Sequence, residues 1–398
     1  MTLFQPSAEL VAANIDAARP ACAFLHDLDA LRRQARGLVD ALPPRAELFY
    51  AVKANNDARI LQALAPHVAG FEVASAGEIR RVREAVGREA RIIMGGPART
   101  AEDIALVLTQ GVERLHVESP HMLHLANSVA AQMSRVLPIL LRVNLAGPVP
   151  GATLTMGGLP TQFGIPQDVV PEAIALLRDC PALRLEGFHF HTVSNNRDAM
   201  GHAALCAMEL DLARTWASEH GLDLKIVNLG GGWGVDYGDP NWRFDVQGFA
   251  RALAPHAEDG PCLQFECGRI IAAYHAAYVC EILDLKSAHG RIFALLRGGT
   301  HHFRLPSSWG HDHPFLILPR ENWPHGWARP GLADASVTIA GELCTPKDIL
   351  ARDVRVDRVR IGDLACFLMA GAYGWDISHH DFLCHAYPER LFLEAGAA

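Results

Sequence analysis

Positive charge is not in excess in this sequence. Lys and Arg total 36 against 44 Asp and Glu, the formal net charge is −8, and no stretch gathers a basic stripe. That excludes the electrostatic footprint of a nucleic-acid-binding protein. Long apolar runs are missing as well: none reaches the ~18 residues that a membrane-spanning helix needs. The opening residues, MTLFQPSAELVAANIDAARP, have no basic start followed by an apolar core, so no secretory leader is expected. Cysteine is present, but the nine residues are an odd number and no two stand as CxxC. That argues against a disulfide framework or a zinc site and for reduced thiols in a cytoplasmic protein. Internal repeats and low-complexity segments are also lacking.

What is present is a globular composition, half hydrophobic and a fifth charged, over 398 residues. The length suits about two domains at roughly 150 residues each, although one α/β barrel can use roughly 250. From residue 20 to about 270, short runs rich in Val, Ile, Leu and Phe alternate with longer runs of helical spacing, such as AGEIRRVREAVG and DVVPEAIALLRDC. The strand candidates are Glu47–Lys53, Gly70–Ala74, Arg91–Met94, Arg114–Val117, Val136–Val143, Leu183–His191, Leu224–Leu229 and Cys262–Glu266. Eight β/α units predict a (β/α)8 TIM barrel over 21–270, with an open doubly wound sheet as the alternative. After Arg269 the texture changes to β-like runs separated by turn residues: AAYHAAYVCEILDLK, RIFALLRGG, ASVTIAGELC and VRIGDLACFLM. These predict a second domain over 271–398, a mainly antiparallel β-barrel, with residues 1–20 packed on it.

In a barrel of this kind chemistry gathers where the strands end. The predicted ends carry Lys53; Glu72 and Ser75; Arg142 and Asn144; His189, His191 and Ser194; Gly230, Gly231 and Gly232; and Glu266, Gly268 and Arg269. Each alone has an ordinary explanation: a lysine reaching solvent, a core histidine, a glycine turn, a structural ion pair. Together they match an anionic, planar, electrophilic cofactor. A partly desolvated lysine can form a Schiff base, glycine amides can cradle a phosphate, and a carboxylate can hold a pyridinium proton. These are the requirements of pyridoxal phosphate.

The motifs FYAVKAN, HFHTVSNN, NLGGGWG, ECGR, GELCTPKD and GAYG occur in this order over nearly the whole chain. The set resembles the fold-type III, alanine-racemase-like pyridoxal phosphate decarboxylases of ornithine, arginine and diaminopimelate (group 4). The resemblance implies a barrel plus β domain, and a homodimer with shared active sites. It implies that Lys53 carries the cofactor as a Schiff base and that His191 stacks on its ring. Ser194, Gly230–Gly232, Gly268, Arg269 and Tyr373 would hold the phosphate, Glu266 the pyridine nitrogen, and Arg142 would belong to the same cofactor site. Cys344 of the partner subunit would protonate Cα after carbon dioxide leaves.

The departures from that pattern concern mainly the substrate. Cys267 stands for a proline, Gln162 for a lysine and Val193 for a glycine, and none of these removes a catalytic group. After Cys344, where the amino-acid decarboxylases place an acid that reads a distal amine, this chain has Thr345. A buried ammonium would pair poorly with a hydroxyl; Asp348 could supply the charge, but it matches an aspartate found more generally in this segment of the family. The stretch RGGTHHFRLPSSWGHDHPF adds Arg304, His301, His302, His311 and His313. Arg304 matches an arginine that binds a substrate carboxylate in the diaminopimelate branch. A metal held by the four histidines or a solvated loop are alternatives, and a cationic pocket for a polyanion, with no metal, fits better. Thr345, Arg304, His301, His302 and Tyr373 are thus the expected substrate contacts. These features are similar to the decarboxylases of citrate-based siderophore pathways such as staphyloferrin B, which convert citryl-diaminopropionate to citryl-diaminoethane. The competing readings are a diaminopimelate- or ornithine-type decarboxylase, a racemase of the same fold, and a non-catalytic cofactor-binding or regulatory protein.

Overall fold

The structure, a computed structural model, describes residues 3–16, 19–147, 154–155, 160–258 and 260–394. The described residues of 32–235 and 243–271 form one compact unit, and those of 1–31, 236–242 and 272–398 form another. The first strand of the chain, β1 (Cys22–Asp27), belongs to the second unit, although the sequence pattern places it at the start of the barrel. It is an apolar run followed by a helix, Leu28–Ala41, as each barrel strand is. Local pattern cannot tell which sheet such a strand joins.

The first unit is a closed parallel barrel. Its strands are β2 (Ala46–Ala51), β3 (Gly70–Val73), β4 (Ile92–Met94), β5 (Arg114–Val117), β6 (Leu137–Asn144), β7 (Leu183–Phe190), β8 (Ile226–Asn228) and β9 (Cys262–Cys267). Each pairs in parallel with its neighbours, β9 pairs back onto β2, and β5 pairs with β6 to complete the ring. The strands are buried on both faces, which is why LFYA, IIM and PILLRV read as continuous apolar runs rather than alternating ones.

Helices follow the strand ends after short loops that close on a capping side chain. Ser75 accepts from the Glu78 N–H, Ser119 from Met122 and Asp198 from Gly201, and Thr100 makes a reciprocal capping box with Asp103. These caps satisfy amide donors that a helix start leaves open, so the βα loops stay short and rigid on one rim.

One glycine is demanded by close approach. Gly187 sits in β7 at φ +151°, where the β6–β7 register shifts, and a Cβ there would lie 1.8 Å from the Ile226 carbonyl oxygen of β8. Neither the backbone angle nor the space admits a side chain.

The second unit is one mixed sheet. Besides β1 it contains β10 (Ala276–Ala288), β11 (Arg291–Leu296), β12 (Phe315–Leu318), β13 (Gly331–Ala340), β14 (Ile349–Arg360), β15 (Leu364–Phe367) and β16 (Glu389–Leu393). Among the described residues, β1–β16 and β11–β13 are the parallel pairs and the rest are antiparallel. β12 and β14 end the pairing path, so backbone hydrogen bonds do not close this sheet into the β-barrel expected from the sequence. Pairing partners are set by long-range contacts that strand propensity does not encode.

Replacing Gly187 with alanine is expected to destabilise the protein by about 3 kcal/mol or more, from overpacking plus backbone strain. A urea titration of wild type and variant measures it, and an unchanged midpoint would show that the bulge relaxes freely.

Candidate active site

The chain has four lysines, Lys53, Lys225, Lys286 and Lys347. Lys225 and Lys286 are exposed beside Asp223 and Asp284. Lys53 differs. The sequence places it on a strand, but β2 stops at Ala51 and Lys53 lies in a 3-10 turn, Val52–Ala54. The turn is held by the Asn55 N–H donating to the Val52 carbonyl at 3.1 Å and by the Tyr50 hydroxyl donating to the Asn55 carbonyl, also at 3.1 Å. The Lys53 side chain is 38% exposed, and its Nζ is 2.7 Å from Oε2 of the buried Glu72 on β3. Burial pushes the Glu72 carboxyl up, Lys53 opposes that shift, and Glu266 adds to it.

Arg142 at the end of β6 donates to Glu118 Oε1 at 2.7 Å and lies over the Phe163 ring. Glu118 also accepts the Gly96 and Gly164 amides, each at 3.0 Å, so one carboxylate fixes three loop ends. The half-buried His191 follows β7. It accepts at Nδ1 from the Gly231 N–H at 3.2 Å, which leaves the ring proton on Nε2. Burial holds the His191 pKa well below the usual histidine range, with Lys53 and Arg142 acting in the same direction. Two residues on, Val193–Ser194 pair antiparallel with Leu154–Thr155, and Ser194 is half-buried.

The three glycines after β8 are sterically required. A Cβ on Gly230 would lie 2.6 Å from His191 Nδ1, one on Gly231 2.0 Å from the Glu266 carbonyl oxygen, and one on Gly232 2.5 Å from the Val193 carbonyl oxygen. The backbone therefore lies flush between the ends of β7 and β9, where its amides can serve an anion. Gly268 allows a similar approach, since its Cβ would meet Ala54 at 2.7 Å, beside the Lys53 turn. Arg269 is buried and opens the short helix Arg269–Ala272. Cys267, the residue in place of a proline, is buried with its thiol pushed well up by burial, so it acts as a small, inert core residue.

Glu266 on β9 is 4% exposed. The Asn228 side-chain amide donates to its Oε1 at 2.8 Å, and His189 Nε2 lies 3.3 Å from Oε2. His116, Glu118 and Asn228 escaped the sequence reading. Each sits at or just after the end of a barrel strand, so the rule that located His189 would have found them had it been applied to every polar residue there.

The remaining expected residues lie in the second unit. Cys344 is exposed in the loop after β13, followed by the half-buried Thr345. Asp348 is engaged with the backbone, in keeping with its reading as a general feature of the segment rather than a partner for a distal amine. It is 1% exposed, and its two oxygens accept the Thr300 and Leu343 amides at 2.6 and 2.9 Å. The histidine-rich stretch is not the cationic pocket expected. His301 and His302 are fully buried, and burial pushes their pKa values down to about 4 and about 2, so both rings are neutral near pH 7. His311 pairs with His313 at 3.1 Å, while His301 lies with Glu342 and His385, so the four histidines do not form one metal cluster. The Glu342 oxygen that an ion would need there already accepts from Arg297 and from the Gly298 amide. Arg304 is exposed, and its backbone amide donates to Ser378 Oγ at 2.9 Å. Tyr373 is half-buried at φ +55°, between the buried Ala372 and Gly374.

Comparison with known proteins accounts for this geometry. Residues 28–273 match the pyridoxal binding domain of the pyridoxal-dependent decarboxylases, and residues 271–371 match their C-terminal sheet domain. This chain belongs to the pyridoxal-dependent decarboxylases. Among relatives, it is 42% identical over 99% of its length and 98% of the other to a 2-[(L-alanin-3-ylcarbamoyl)methyl]-2-hydroxybutanedioate decarboxylase of Staphylococcus aureus. It is 28% identical to an L-glutamyl-[BtrI acyl-carrier protein] decarboxylase of Niallia circulans, covering 94% and 89% of the two chains. A diaminopimelate decarboxylase of Pseudomonas aeruginosa is 29% identical over 87% and 82%. The fold is that of the diaminopimelate decarboxylase of Helicobacter pylori solved with L-lysine, with TM-score 0.84, 23% identity and coverage of 94% and 92%.

The cofactor of this decarboxylase is pyridoxal phosphate, and the barrel rim fits it. It offers an amine, a glycine run that no Cβ could enter, and a buried carboxylate held by uncharged donors.

Replacing Asp348 with alanine leaves the Thr300 and Leu343 amides without their acceptor. About 2–4 kcal/mol of stability is expected to be lost, read from denaturant unfolding. A loss below about 0.5 kcal/mol would show that water replaces the carboxylate.

Proposed function

We propose that this decarboxylase acts on a carboxylate-rich amide of an amino acid, citryl-L-2,3-diaminopropionate, and releases citryl-diaminoethane for siderophore assembly of the staphyloferrin B kind. The observation that carries this reading is 42% identity along essentially both whole chains to the relative named for that compound, against 29% for a diaminopimelate decarboxylase. The 2-hydroxybutanedioate part of that relative's compound is a polyanion with no distal ammonium.

Local chemistry supports the assignment. A free distal ammonium would find Thr345 where a charge is needed, and Asp348 is already saturated by backbone donors. A carboxylate would find the exposed Arg304 and the half-buried Tyr373, whereas His301 and His302, also expected as contacts, are fully buried and would need to be uncovered to take part.

Bound pyridoxal phosphate supplies an electron sink for the pair left at Cα when carbon dioxide departs. The chain's residues then divide the work. Lys53 would hold the cofactor covalently, and Glu72, 2.7 Å from its amine, positions that nitrogen at the rim. His191 would stack on the ring, and Arg142 braces the same rim through Glu118. Ser194, Gly230–Gly232, Gly268, Arg269 and Tyr373 take the phosphate, and Glu266 takes the pyridine nitrogen. Cys344 delivers a proton to Cα, since a thiol is a competent donor near neutral pH. In this reading the enzyme is a cytoplasmic homodimer in which Cys344 serves the partner subunit's site.

Carbon dioxide release decides the substrate. Citryl-diaminopropionate is expected to exceed free diaminopimelate and ornithine in kcat/KM by on the order of 100-fold, the penalty of an unpaired buried group. Comparable turnover of a free diamino acid would sink the assignment. Lys53→Ala is expected to lack the visible cofactor absorbance that borohydride abolishes in the wild type. Cys344→Ala is expected to lose on the order of 100-fold in rate, as for other general acids. Full activity with normal product would remove Cys344 from the proton path.

A further inference from the structure

Two histidines inside the barrel have no role so far. His116 on β5 is fully buried and His189 on β7 is 2% exposed. Their rings lie 4.1 Å apart, and none of their four nitrogens makes a well-aligned hydrogen bond among the described residues. Such groups are costly unless something turns them to use. Both face one carboxylate. His189 Nε2 is 3.3 Å from Glu266 Oε2, and His116 Nδ1 is 3.6 Å from Glu266 Oε1. Asn228 on β8 donates to Oε1 at 2.8 Å. Gly95 makes room for the His116 ring, since a Cβ there would come within 3.2 Å of its Nδ1.

We propose that His189, backed by His116 and working with Asn228, is a positioning residue that fixes the rotamer of the Glu266 carboxylate toward the cofactor. The inference rests on the reading that Glu266 meets the pyridine nitrogen. The device depends on the kind of donor. Among the described residues, the groups within ion-pair distance of Glu266 are these two histidines, and burial keeps both rings uncharged, with Arg142 reinforcing this at each. An uncharged N–H orients a carboxylate but leaves its charge available. A guanidinium in the same place would orient it and also cancel the charge that a pyridinium needs. His116 contributes mainly by its face, holding the His189 ring against tilting.

The test compares bound-cofactor absorption spectra and cofactor dissociation constants for Glu266→Gln, His189→Phe, His189→Asn and His116→Phe. Phenylalanine keeps the ring volume and removes only the nitrogens. His189→Phe is expected to shift the spectrum in the same sense as Glu266→Gln, and to weaken cofactor binding about tenfold. His189→Asn restores a donor and is expected to bring both readouts back toward wild type. His116→Phe, which keeps the face, is expected to stay close to wild type. A wild-type spectrum and affinity in His189→Phe, with Glu266→Gln altered, would overturn the positioning role alone. A wild-type spectrum in Glu266→Gln would instead overturn the reading of Glu266 on which it rests. A stoichiometric transition metal bound by the wild type and lost from His189→Phe would also overturn the proposal, by making the pair ligands. If His189→Phe fails to fold, His189→Leu takes its place under the same criteria.

Discussion

Backbone pairing between Arg114–Val117 and Leu137–Asn144 closes the parallel sheet, and the chemistry of the first unit depends on that closure. In a closed parallel ring every strand ends at the same rim. Residues as far apart in sequence as Lys53 and Glu266 are brought together because β2 pairs with β9, with Phe49 opposite Glu266 and Tyr50 opposite Cys267. The capped helices then keep the loops short, so polar groups at the rim arrive on rigid supports.

Charge at this rim is handled in two ways. Lys53 with Glu72, and Arg142 with Glu118, are close pairs in which each ion has a counter-ion. Glu266 is instead surrounded by an amide and two uncharged imidazoles. Pairing makes a buried charge tolerable and spends it on its counter-ion, as at Arg142 and Glu118, whereas dipolar support leaves a charge able to act on a third partner. The difference separates the Arg142–Glu118 pair, which holds the rim together, from Glu266, the group proposed to address the cofactor.

Much of this was legible in the sequence because it depends on local pattern. Eight apolar runs with helical stretches between them located all eight barrel strands to within a few residues, and Lys53, His191, the glycine run and Glu266 were visible at their ends. What was not legible depends on partners distant in the chain. β1 has a barrel strand's pattern but pairs with Ala276–Ala288. The histidines at 301 and 302 read as basic until burial is known. Asp348 read as a general feature of its segment rather than a partner for a distal amine, but what it does instead was not visible: its hydrogen bonds run to residues 300 and 343. Asn228 and His116 are unremarkable letters whose meaning comes only from the carboxylate they face.

The clamp made by Asp348 bears on how such an enzyme changes its diet. The aspartate shapes the loop through backbone amides at its base, while Cys344 and Thr345 stand at its turn. The base of the loop is thus set by Asp348, and the Thr345 hydroxyl adds one contact at the turn, accepting the Lys347 amide at 3.3 Å. Position 345 can therefore exchange a hydroxyl for an acid, either of which can accept the Lys347 amide, while the backbone beneath it keeps its course. A lineage built on this scaffold can try new cargo one codon at a time without first re-engineering the loop that presents it.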